Sequence, residues 1–315
     1  MQQLSFVVSP ACDGQRLGVF LRSQGVSAGC IKTVKYQGNG FFADGAPLHT
    51  DQKVKSGQVI TFELPPEPPT TVVPQRVPFS LVYEDEFAAV LEKPAGIAVH
   101  PTLNHPDGTL ANGWIDLLQQ RGEQGVFRPI NRIDKNTSGL VLCAKNAFAA
   151  PLLAKQVHKC YVALAEGELP LGPGVIDAPI ARCGDSIIGR CVDPTGKPSV
   201  TQYWVAAAGQ GHSLVLCRPV TGRTHQIRVH FSSQGHPLAG DTLYGGHLGP
   251  MQRHALHCAA LAFVQPVTQH RITLQSPLPD DMAACCRAGD LILKPSALCD
   301  ALNWDDRFDA ERSLF

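Results

Sequence analysis

One stretch of this chain constrains its fold more than any other, because a polar loop passes directly into an apolar run. The loop, residues 131–136, carries Arg132, Asp134 and Lys135, and the apolar run covers residues 140–144. A short apolar run that follows turn residues is typical of a buried strand. We therefore expect the strand to hold the loop in place. Loops on rigid scaffolds are where catalytic groups tend to lie.

The composition indicates a globular protein. The chain has 315 residues, enough for two domains, of which 44% are hydrophobic and 17% are charged. No apolar run approaches the ~20 residues that are needed to span a bilayer. The first residues lack the charged start and the apolar core of a signal peptide. We expect a cytoplasmic protein with no membrane partner.

The cysteines favour a reducing compartment and free thiols. Their number is odd, 11, and no Cys-x-x-Cys pair occurs. A zinc site is the sharper alternative, because His254, His257 and Cys258 follow one another at the i, i+3, i+4 spacing of a helix face. A structural zinc site needs about four ligands. The sequence offers no second cluster, so we expect no metal.

The charge of the chain is balanced as a whole but uneven along its length. The chain has 27 basic and 27 acidic residues. Residues 280–315 hold eight acids and four bases, which leaves 19 acids and 23 bases in residues 1–279. A mildly basic body permits a local RNA-binding patch without requiring one.

The first 64 residues form a unit of their own, and two of its segments carry a recognisable pattern. Residues 13–17 read Asp-Gly-Gln-Arg-Leu, and residues 56–60 read Ser-Gly-Gln-Val-Ile. Both are similar to the start and the last strand of an S4 RNA-binding domain. Of the basic helix that is typical of such a domain, only Lys32 and Lys35 remain. Whether this S4-like unit, residues 1–64, binds RNA therefore stays open.

Proline content marks the boundary to a second domain. Residues 65–78 contain six prolines, which favours an extended, semi-rigid linker. We expect the large domain to cover residues 79–284. An acidic tail, residues 285–315, follows it.

Further along, one segment reads as the start of a helix that could hold a phosphate. Thr224 can cap this helix and Gly235 can end it. Arg223 and His225 stand at its start, where free backbone N–H groups and the positive end of the helix dipole favour an anion. Arg228 lies one turn further on.

Each of these segments also has an ordinary structural explanation. An aspartate in a polar turn, such as Asp134, usually accepts bonds from nearby backbone N–H groups. Tyr161 lies in the alternating strand pattern of residues 159–167, and a strand tyrosine is most often part of the core. A charged helix such as that around Arg228 is most often a solvated surface.

Taken together and in order, the segments resemble the RluA-type pseudouridine synthases. The catalytic loop of that family reads His-Arg-Leu-Asp-x-x-Thr-Ser-Gly-Leu, and Asp134 falls on its catalytic aspartate. Asn131 departs from the pattern, because the family usually has His there. The strand of Tyr161 matches Lys-x-Tyr-x-Ala-Leu-x-x-Gly, and residues 221–230 match Thr-Gly-Arg-Thr-His-Gln-Ile-Arg-Val-His. The segment Lys93-Pro-Ala-Gly matches a fourth stretch, which borders the family's active site.

The resemblance implies roles for these residues. Asp134 would be the catalytic carboxylate, and Arg228 would pair with it, because a neighbouring guanidinium favours the charged form of a carboxyl group. Tyr161 would stack on the target uracil. Asp134 could act as a nucleophile at the sugar or as a base at C2′. The expected RNA contacts are Arg132, Lys93, Arg223 and His225.

The resemblance also implies an α+β fold, in which a largely antiparallel mixed sheet with flanking helices and a central cleft follows the small S4-like α/β domain. The expected partner is ribosomal or transfer RNA, and the protein is expected to be a monomer. No Gly-x-Gly-x-x-Gly or Walker pattern suggests a nucleotide cofactor. Two alternatives stay open: a non-catalytic RNA-binding or folding factor on the same scaffold, and a hydrolase of N-glycosidic bonds.

Overall fold

The N-terminal unit is a four-stranded antiparallel sheet covered by two helices. The computed structural model describes residues 2–303 apart from 104, 185 and 295. The strands of the unit pair in the order β1-β4-β2-β3. Phe20, Val34 and Ile60 are fully buried between the sheet and the helices. The elements are β1 Gln3–Val7, α1 Leu17–Ser23, α2 Ala28–Gln37, β2 Phe41–Ala43, β3 Ala46–Leu48 and β4 Val59–Glu63.

The proline-rich stretch, residues 65–78, contains no helix or strand and is fastened to the large domain. The side-chain amide of Asn112 donates to the carbonyl of Val73 at 2.8 Å. The backbone N–H of Gln75 donates to the carbonyl of Asn112 at 3.2 Å. The stretch thus lies along the start of a helix of the large domain.

The large domain is built on one mixed sheet. Its central strands pair in the order β10-β13-β14-β9-β15-β8-β6-β5, while β16 pairs with β15 and β7 with β8. The elements are β5 Ser80–Glu84, β6 Ala88–Lys93, α3 Leu110–Gln120, β7 Arg128–Pro129, β8 Ser138–Ala144, α4 Ala149–Gln156, β9 His158–Glu166, β10 Gly172–Asp177, β11 Ile180–Arg182, β12 Arg190–Val192, β13 Val200–Gly209, β14 His212–Pro219, α5 Gln226–Ser233, β15 Leu256–Val264, β16 Arg271–Gln275, α6 Asp280–Ala288 and α7 Ser296–Ala301.

The pairing of β8 with β15 is parallel, and it is the only parallel pairing among the strands that the structure describes. The starts of the two strands therefore lie at the same edge of the sheet. Gly139 makes the close approach possible: its φ is +110°, and a Cβ at this position would collide with the backbone of Cys258. The prediction of a largely antiparallel mixed sheet with flanking helices is confirmed.

The strand that follows the Asp134 loop is buried along its whole length. All seven residues of β8 are buried, as the apolar run predicted. On one face the core includes Trp114 of α3 and Leu153 of α4. A second cluster, on the opposite face of strands β9 and β14, includes Leu164 and Leu216. The loop that carries Asp134 is therefore held by one of the most rigid strands of the sheet.

The C-terminal boundary differs from the prediction. Residue 285, where a tail was expected to start, lies inside α6. Met282, Leu298 and Leu302 are buried in the second core cluster, because α6 and α7 cover apolar residues of the sheet. The prediction of a tail that begins at residue 285 is wrong, since the packed structure continues to residue 302; residues 304–315 lie outside the described part of the chain.

The N-terminal unit packs against α4. The rings of Phe6 and Phe148 lie 6.3 Å apart edge to face, and Asn146 Nδ2 donates to Gln2 Oε1 at 2.8 Å. Within the part of the chain that the structure describes, no helix has the length and the apolar character needed to cross a membrane.

Candidate active site

A buried arginine joins two carboxylates at the edge where β8 and β15 begin. Arg228 Nη1 donates to Asp134 Oδ2 at 3.0 Å. Its Nε and Nη2 donate to Asp241 Oδ2 and Oδ1 at 2.7 and 2.8 Å, which is a bidentate pair. Burial would lower the pKa of Arg228, but the bonds to Asp241 and the charge of Asp134 raise it above its ordinary value. The guanidinium is therefore a fixed positive charge that faces Asp134.

Local backbone geometry at the start of α5 orients Arg228 and His225. The helix begins at Gln226, and its N-cap is His225, which adopts the left-handed conformation with φ +57°. The Gln226 side chain takes the place of a capping group, because its Oε1 accepts from the Arg223 N–H at 3.0 Å. The prediction that Thr224 caps this helix is wrong: Thr224 is exposed, two residues before the helix begins.

His225 also faces the carboxylate. Its Nε2 lies 3.8 Å from Asp134 Oδ2, and its Nδ1 lies 2.7 Å from the Tyr244 hydroxyl. That hydroxyl accepts from the backbone N–H of Arg190 at 3.1 Å, so its own proton is best placed to bond to Nδ1. This arrangement favours the tautomer in which Nε2–H points at Asp134. Burial lowers the pKa of His225, although the charge of Asp134 opposes the effect.

Tyr244 completes the wall beside the arginine. The guanidinium carbon of Arg228 lies 4.9 Å from the centre of the Tyr244 ring, the geometry of a cation–π contact. The ring also meets the His225 imidazole edge to face, with centroids 5.6 Å apart. Tyr244 therefore packs against both Arg228 and His225, the two side chains that face Asp134.

The loop of Asp134 is tied to the segment that enters β15. The Thr137 N–H donates to the Asp134 carbonyl at 3.1 Å. Thr137 Oγ1 lies 2.8 Å from His254 Nε2, and Ser138 Oγ lies 2.9 Å from His257 Nδ1. Burial, together with the positive charges of nearby arginines, lowers the pKa of His254 to about 2, so this histidine is neutral.

The same contacts remove the basis of the zinc alternative. That alternative assumed helical spacing, but residues 256–264 form a strand, in which successive side chains point to opposite faces. His254 bonds to the hydroxyl of Thr137, and His257 bonds to that of Ser138.

The structure contradicts the prediction that Lys93 contacts RNA phosphate. Lys93 is fully buried, and its Nζ donates to the carbonyls of Pro94 and Lys135 at 2.8 and 3.0 Å. Burial lowers the pKa of Lys93 to about 7, although the charge of Asp134 opposes the effect. The reason is that β6 is an inner strand, so a side chain at its end is covered. Lys93 ties the turn after β6 to the Asp134 loop.

Tyr161 and Asn131 meet beneath the loop. Tyr161 lies on β9 and is 7% exposed, and its hydroxyl lies near the side chains of Cys258 and Asn131. Burial raises the pKa of Tyr161 well above its ordinary value, so the hydroxyl is protonated. Asn131 Nδ2 donates to the Leu140 carbonyl at 3.0 Å, and Asn131 Oδ1 accepts from the Leu142 N–H at 2.8 Å. The side-chain amide of Asn131 offers both a donor and an acceptor, which explains how it can bond to two backbone groups of β8.

Two of the predicted RNA contacts are on the surface. Arg132 is exposed beside Asp134, and Arg223 is exposed at the approach to α5. Arg223 Nε donates to the Pro198 carbonyl at 3.2 Å, which orients its guanidinium. Both side chains are therefore accessible from solvent.

Sequence reasoning missed the residues that hold Arg228. Asp241 is 2% exposed and makes two of the bonds of Arg228, and Tyr244 covers the guanidinium face. The available signal was the match of Gly-Asp-Thr-Leu-Tyr-Gly at residues 240–245 to the family pattern. An aspartate and a tyrosine three residues apart did not by themselves indicate a role.

A comparison with protein families agrees with this geometry. Residues 88–233 match the family model described as RNA pseudouridylate synthase. The matched region contains Asp134, Tyr161 and Arg228, while Asp241, Tyr244 and the segment that enters β15 follow it.

Individual relatives extend the likeness to most of the chain. An uncharacterized RNA pseudouridine synthase of Bacillus subtilis, YjbO, is 37% identical over 265 residues, which cover 82% of this chain and 94% of the relative. Ribosomal large subunit pseudouridine synthase D of Zymomonas mobilis is 38% identical and covers 82% of this chain and 84% of its own length. The solved structure of human RNA pseudouridylate synthase domain containing 1 is 27% identical, with a TM-score of 0.58, and the match covers 75% of this chain and 97% of that one.

Proposed function

The chain belongs to the RluA-type family of RNA pseudouridine synthases, which makes it an isomerase of uridine in RNA, and from that premise we propose that Asp134 is its catalytic carboxylate. The single observation that carries the proposal is the bond between Asp134 and Arg228, whose side chains meet at 3.0 Å although they are 94 residues apart in the chain. Each lies on a motif that sequence reasoning had singled out independently.

The reaction sets clear requirements for the site. Pseudouridine formation breaks the bond between N1 of uracil and C1′ of the ribose, turns the base, and joins C5 to C1′. C5 loses its hydrogen as a proton, and no electrons are gained or lost. An anionic carboxylate at the sugar, fixed polar groups around it and exclusion of water meet these needs.

Asp134 is suited to this role by its partners. Arg228 and the Nε2–H of His225 lie on one side of the carboxylate, so its orientation is restricted. Asp241 keeps the guanidinium aimed at Asp134. The carboxylate is still 25% exposed, so a ribose can reach it. Attack at C1′ and proton abstraction at C2′ are both compatible with this arrangement.

Tyr161 and the two exposed arginines complete the proposal. Tyr161 forms the floor against which the uracil ring packs, with its hydroxyl near Asn131 and Cys258. Arg132 and Arg223 contact the phosphates on either side of the target uridine. Because a uracil inside a duplex is inaccessible, the uridine enters the site flipped out or from a single strand.

We infer that the substrate is structured RNA, ribosomal or transfer, and that the protein acts on it in the cytoplasm as a monomer. The names of several relatives favour large-subunit ribosomal RNA as the first substrate to test. The N-terminal unit resembles an S4 domain in sequence, and we infer that it contacts the same RNA through α2.

Tritium release from RNA that carries 5-³H-uridine tests the proposal directly, because C5 gives up its hydrogen only when it becomes the glycosidic carbon. We expect wild-type protein to release tritium from a large-subunit ribosomal RNA transcript. We expect Asp134→Ala to lower the rate by at least about 10³-fold, the scale of losing a covalent or charge-stabilising group.

Asp134→Asn is the matched control, since it keeps the shape of the side chain and removes its charge. Circular dichroism and RNA affinity should be unchanged in both variants. Turnover by Asp134→Ala at the wild-type rate would reject the assignment. Release of free uracil by wild type would show hydrolysis of the N-glycosidic bond instead.

A further inference from the structure

Arg253 lies between the Asp134 loop and helix α6, and all three nitrogens of its guanidinium are bonded. Nε and Nη2 donate to the two carboxylate oxygens of Asp281 at 2.7 and 3.0 Å. Nη1 donates to the backbone carbonyl of Asn136 at 3.1 Å. Asn136 is two residues after Asp134, so a side chain outside the predicted active-site motifs holds the loop that carries the carboxylate.

The same guanidinium reaches both strands of the parallel pair. Nη1 also donates to the carbonyls of His254 and Leu256 at 3.3 and 3.2 Å, at the entrance to β15. Nη2 lies 3.4 Å from Ser138 Oγ, at the first residue of β8. Arg253 thus bonds to the beginning of each strand at the edge of the sheet where the active site lies.

Arg253 is held in position by helix α6, which follows it in the chain. Asp281 stands in the first turn of α6, and its Oδ1 also accepts from the Met282 N–H at 2.8 Å. Met282 is fully buried in the second core cluster. The carboxylate is therefore anchored by a packed helix, and the arginine side chain, 10% exposed, is largely shielded from water.

We propose that Arg253 is a positioning residue that sets the location of Asp134 through the Asn136 carbonyl, with Asp281 orienting the arginine. The inference rests on the proposed role of Asp134. Residues 134–137 are not part of a strand, so the sheet ladder does not fix them. Besides the bond from Arg228 to Asp134, they are held by the bonds from Arg253 and Lys93, the bond between Thr137 and His254, and a backbone bond from Gly96 to Lys135.

The expected effect is on turnover more than on binding. Misplacement of a reacting group by about 1 Å can lower a rate by about 100-fold, while RNA contacts elsewhere still supply affinity. We expect Arg253→Ala to lower kcat by about 10- to 100-fold with KM within about twofold of wild type. Arg253→Lys keeps the charge but loses the planar fork, so it should recover part of the rate.

The experiment measures kcat and KM by tritium release from a large-subunit ribosomal RNA transcript, for wild type, Arg253→Ala, Arg253→Lys and Asp281→Asn. Asp281→Asn should resemble Arg253→Ala in direction, with a smaller loss. Arg121→Ala is the matched control, because Arg121 also pairs with a carboxylate, Glu84, at 2.8 Å, but at the end of α3. It should keep the wild-type kcat.

A second measurement separates positioning from general stability. Amide hydrogen exchange of residues 134–138 should become faster in Arg253→Ala, while exchange in α3 is unchanged, at a temperature where each variant is folded. A kcat within twofold of wild type in Arg253→Ala, or one that falls only with the folded fraction, would overturn the inference.

Asp134→Ala is assayed in parallel so that the two proposals can fail separately. A full rate in Arg253→Ala beside an inactive Asp134→Ala would reject only the positioning role. Turnover by Asp134→Ala would reject the catalytic assignment on which that role rests.

Discussion

The N-terminal unit and the catalytic domain differ in whether they bury ionisable side chains. In residues 2–64, every residue that is buried is apolar, and the charged side chains lie at or near the surface. In the catalytic domain, Lys93, Arg228, Asp241 and His254 are all at most 5% exposed. Both regions bury a comparable apolar core, so the difference does not come from a lack of hydrophobic residues.

The difference shows that only the catalytic domain bears the free-energy cost of burying charges that serve the active site. Moving a charge out of water costs several kcal/mol, and a buried pair recovers this only with good geometry. The N-terminal unit carries no such cost, because packing alone decides its interior. The catalytic domain keeps buried charges around Asp134, and each has a named partner. Substitutions of charged residues should therefore have large effects in one region and small effects in the other.

The largest effect is expected at Arg228. Arg228→Ala removes the partner of Asp134 and leaves Asp241 buried without a counter-charge, so we expect severely impaired tritium release and a loss of about 3–5 kcal/mol in the free energy of unfolding. The double variant Arg228→Ala with Asp241→Ala should recover much of the stability but none of the turnover. Urea unfolding and tritium release measure the two effects separately.

Near-normal rates in Arg228→Ala would remove the ion pair from the mechanism. A double variant as unstable as the single one would show that the cost does not come from an unpaired Asp241.

A smaller effect is expected from the neutral His254. Its pKa is about 2 in the folded protein against 6.5 ordinarily, so below pH 6.5 the unfolded chain binds one proton more and stability falls with falling pH. Between pH 7.5 and 5, wild type should lose on the order of 2 kcal/mol more than His254→Gln. Urea midpoints at the two pH values measure this.

The exposed histidine of the N-terminal unit, His49, provides the control for this comparison. His49→Gln should lose as much stability on acidification as wild type. If His254→Gln also behaves like wild type, the histidine beside the catalytic loop does not account for acid sensitivity.

The smallest effect is expected on the N-terminal surface. Lys32 and Lys35 are exposed on α2, so replacing both by Ala removes two phosphate contacts if α2 faces the RNA. Affinity should fall modestly, and the slope of log Kd against log salt should fall by about 2. Replacing Lys53 and Lys55, which lie outside α2, should leave the slope unchanged. Equal slopes in all variants would mean that the unit does not bind RNA.

The sequence predicted the elements of the site better than their contacts. The buried strand after Asp134 followed from the apolar run, and the helix of Arg228 followed from turn residues around it. Their meeting followed only from the resemblance to the family, because no local pattern says which segments 94 residues apart will touch. The order of strands in the sheet was beyond local reasoning for the same reason.

The errors share a physical cause. Lys93 precedes a Pro-Ala-Gly turn, which suggests an exposed side chain. It is nevertheless fully buried, because it ends β6, an inner strand between β5 and β8. Thr224 is a good capping residue, but the helix begins two residues later, at Gln226, whose side chain accepts from the Arg223 N–H in place of a cap. Arg253 gave no signal, and Asp241 gave only the match of its segment to the family pattern, because their roles come from tertiary contacts that a single segment does not contain.

The parallel pairing of β8 and β15 has a consequence for protein synthesis. Ser138 and His257, which bond at this edge, are 119 residues apart in the chain. At about 5–20 residues per second, the ribosome needs roughly 6–24 s to make the chain between them. During that interval a nascent chain already carries Asp134 but lacks the segment that fixes its loop. A chain truncated before β15 should therefore be inactive toward RNA, because the bonds from the β15 segment to the Asp134 loop form only after that segment has been made.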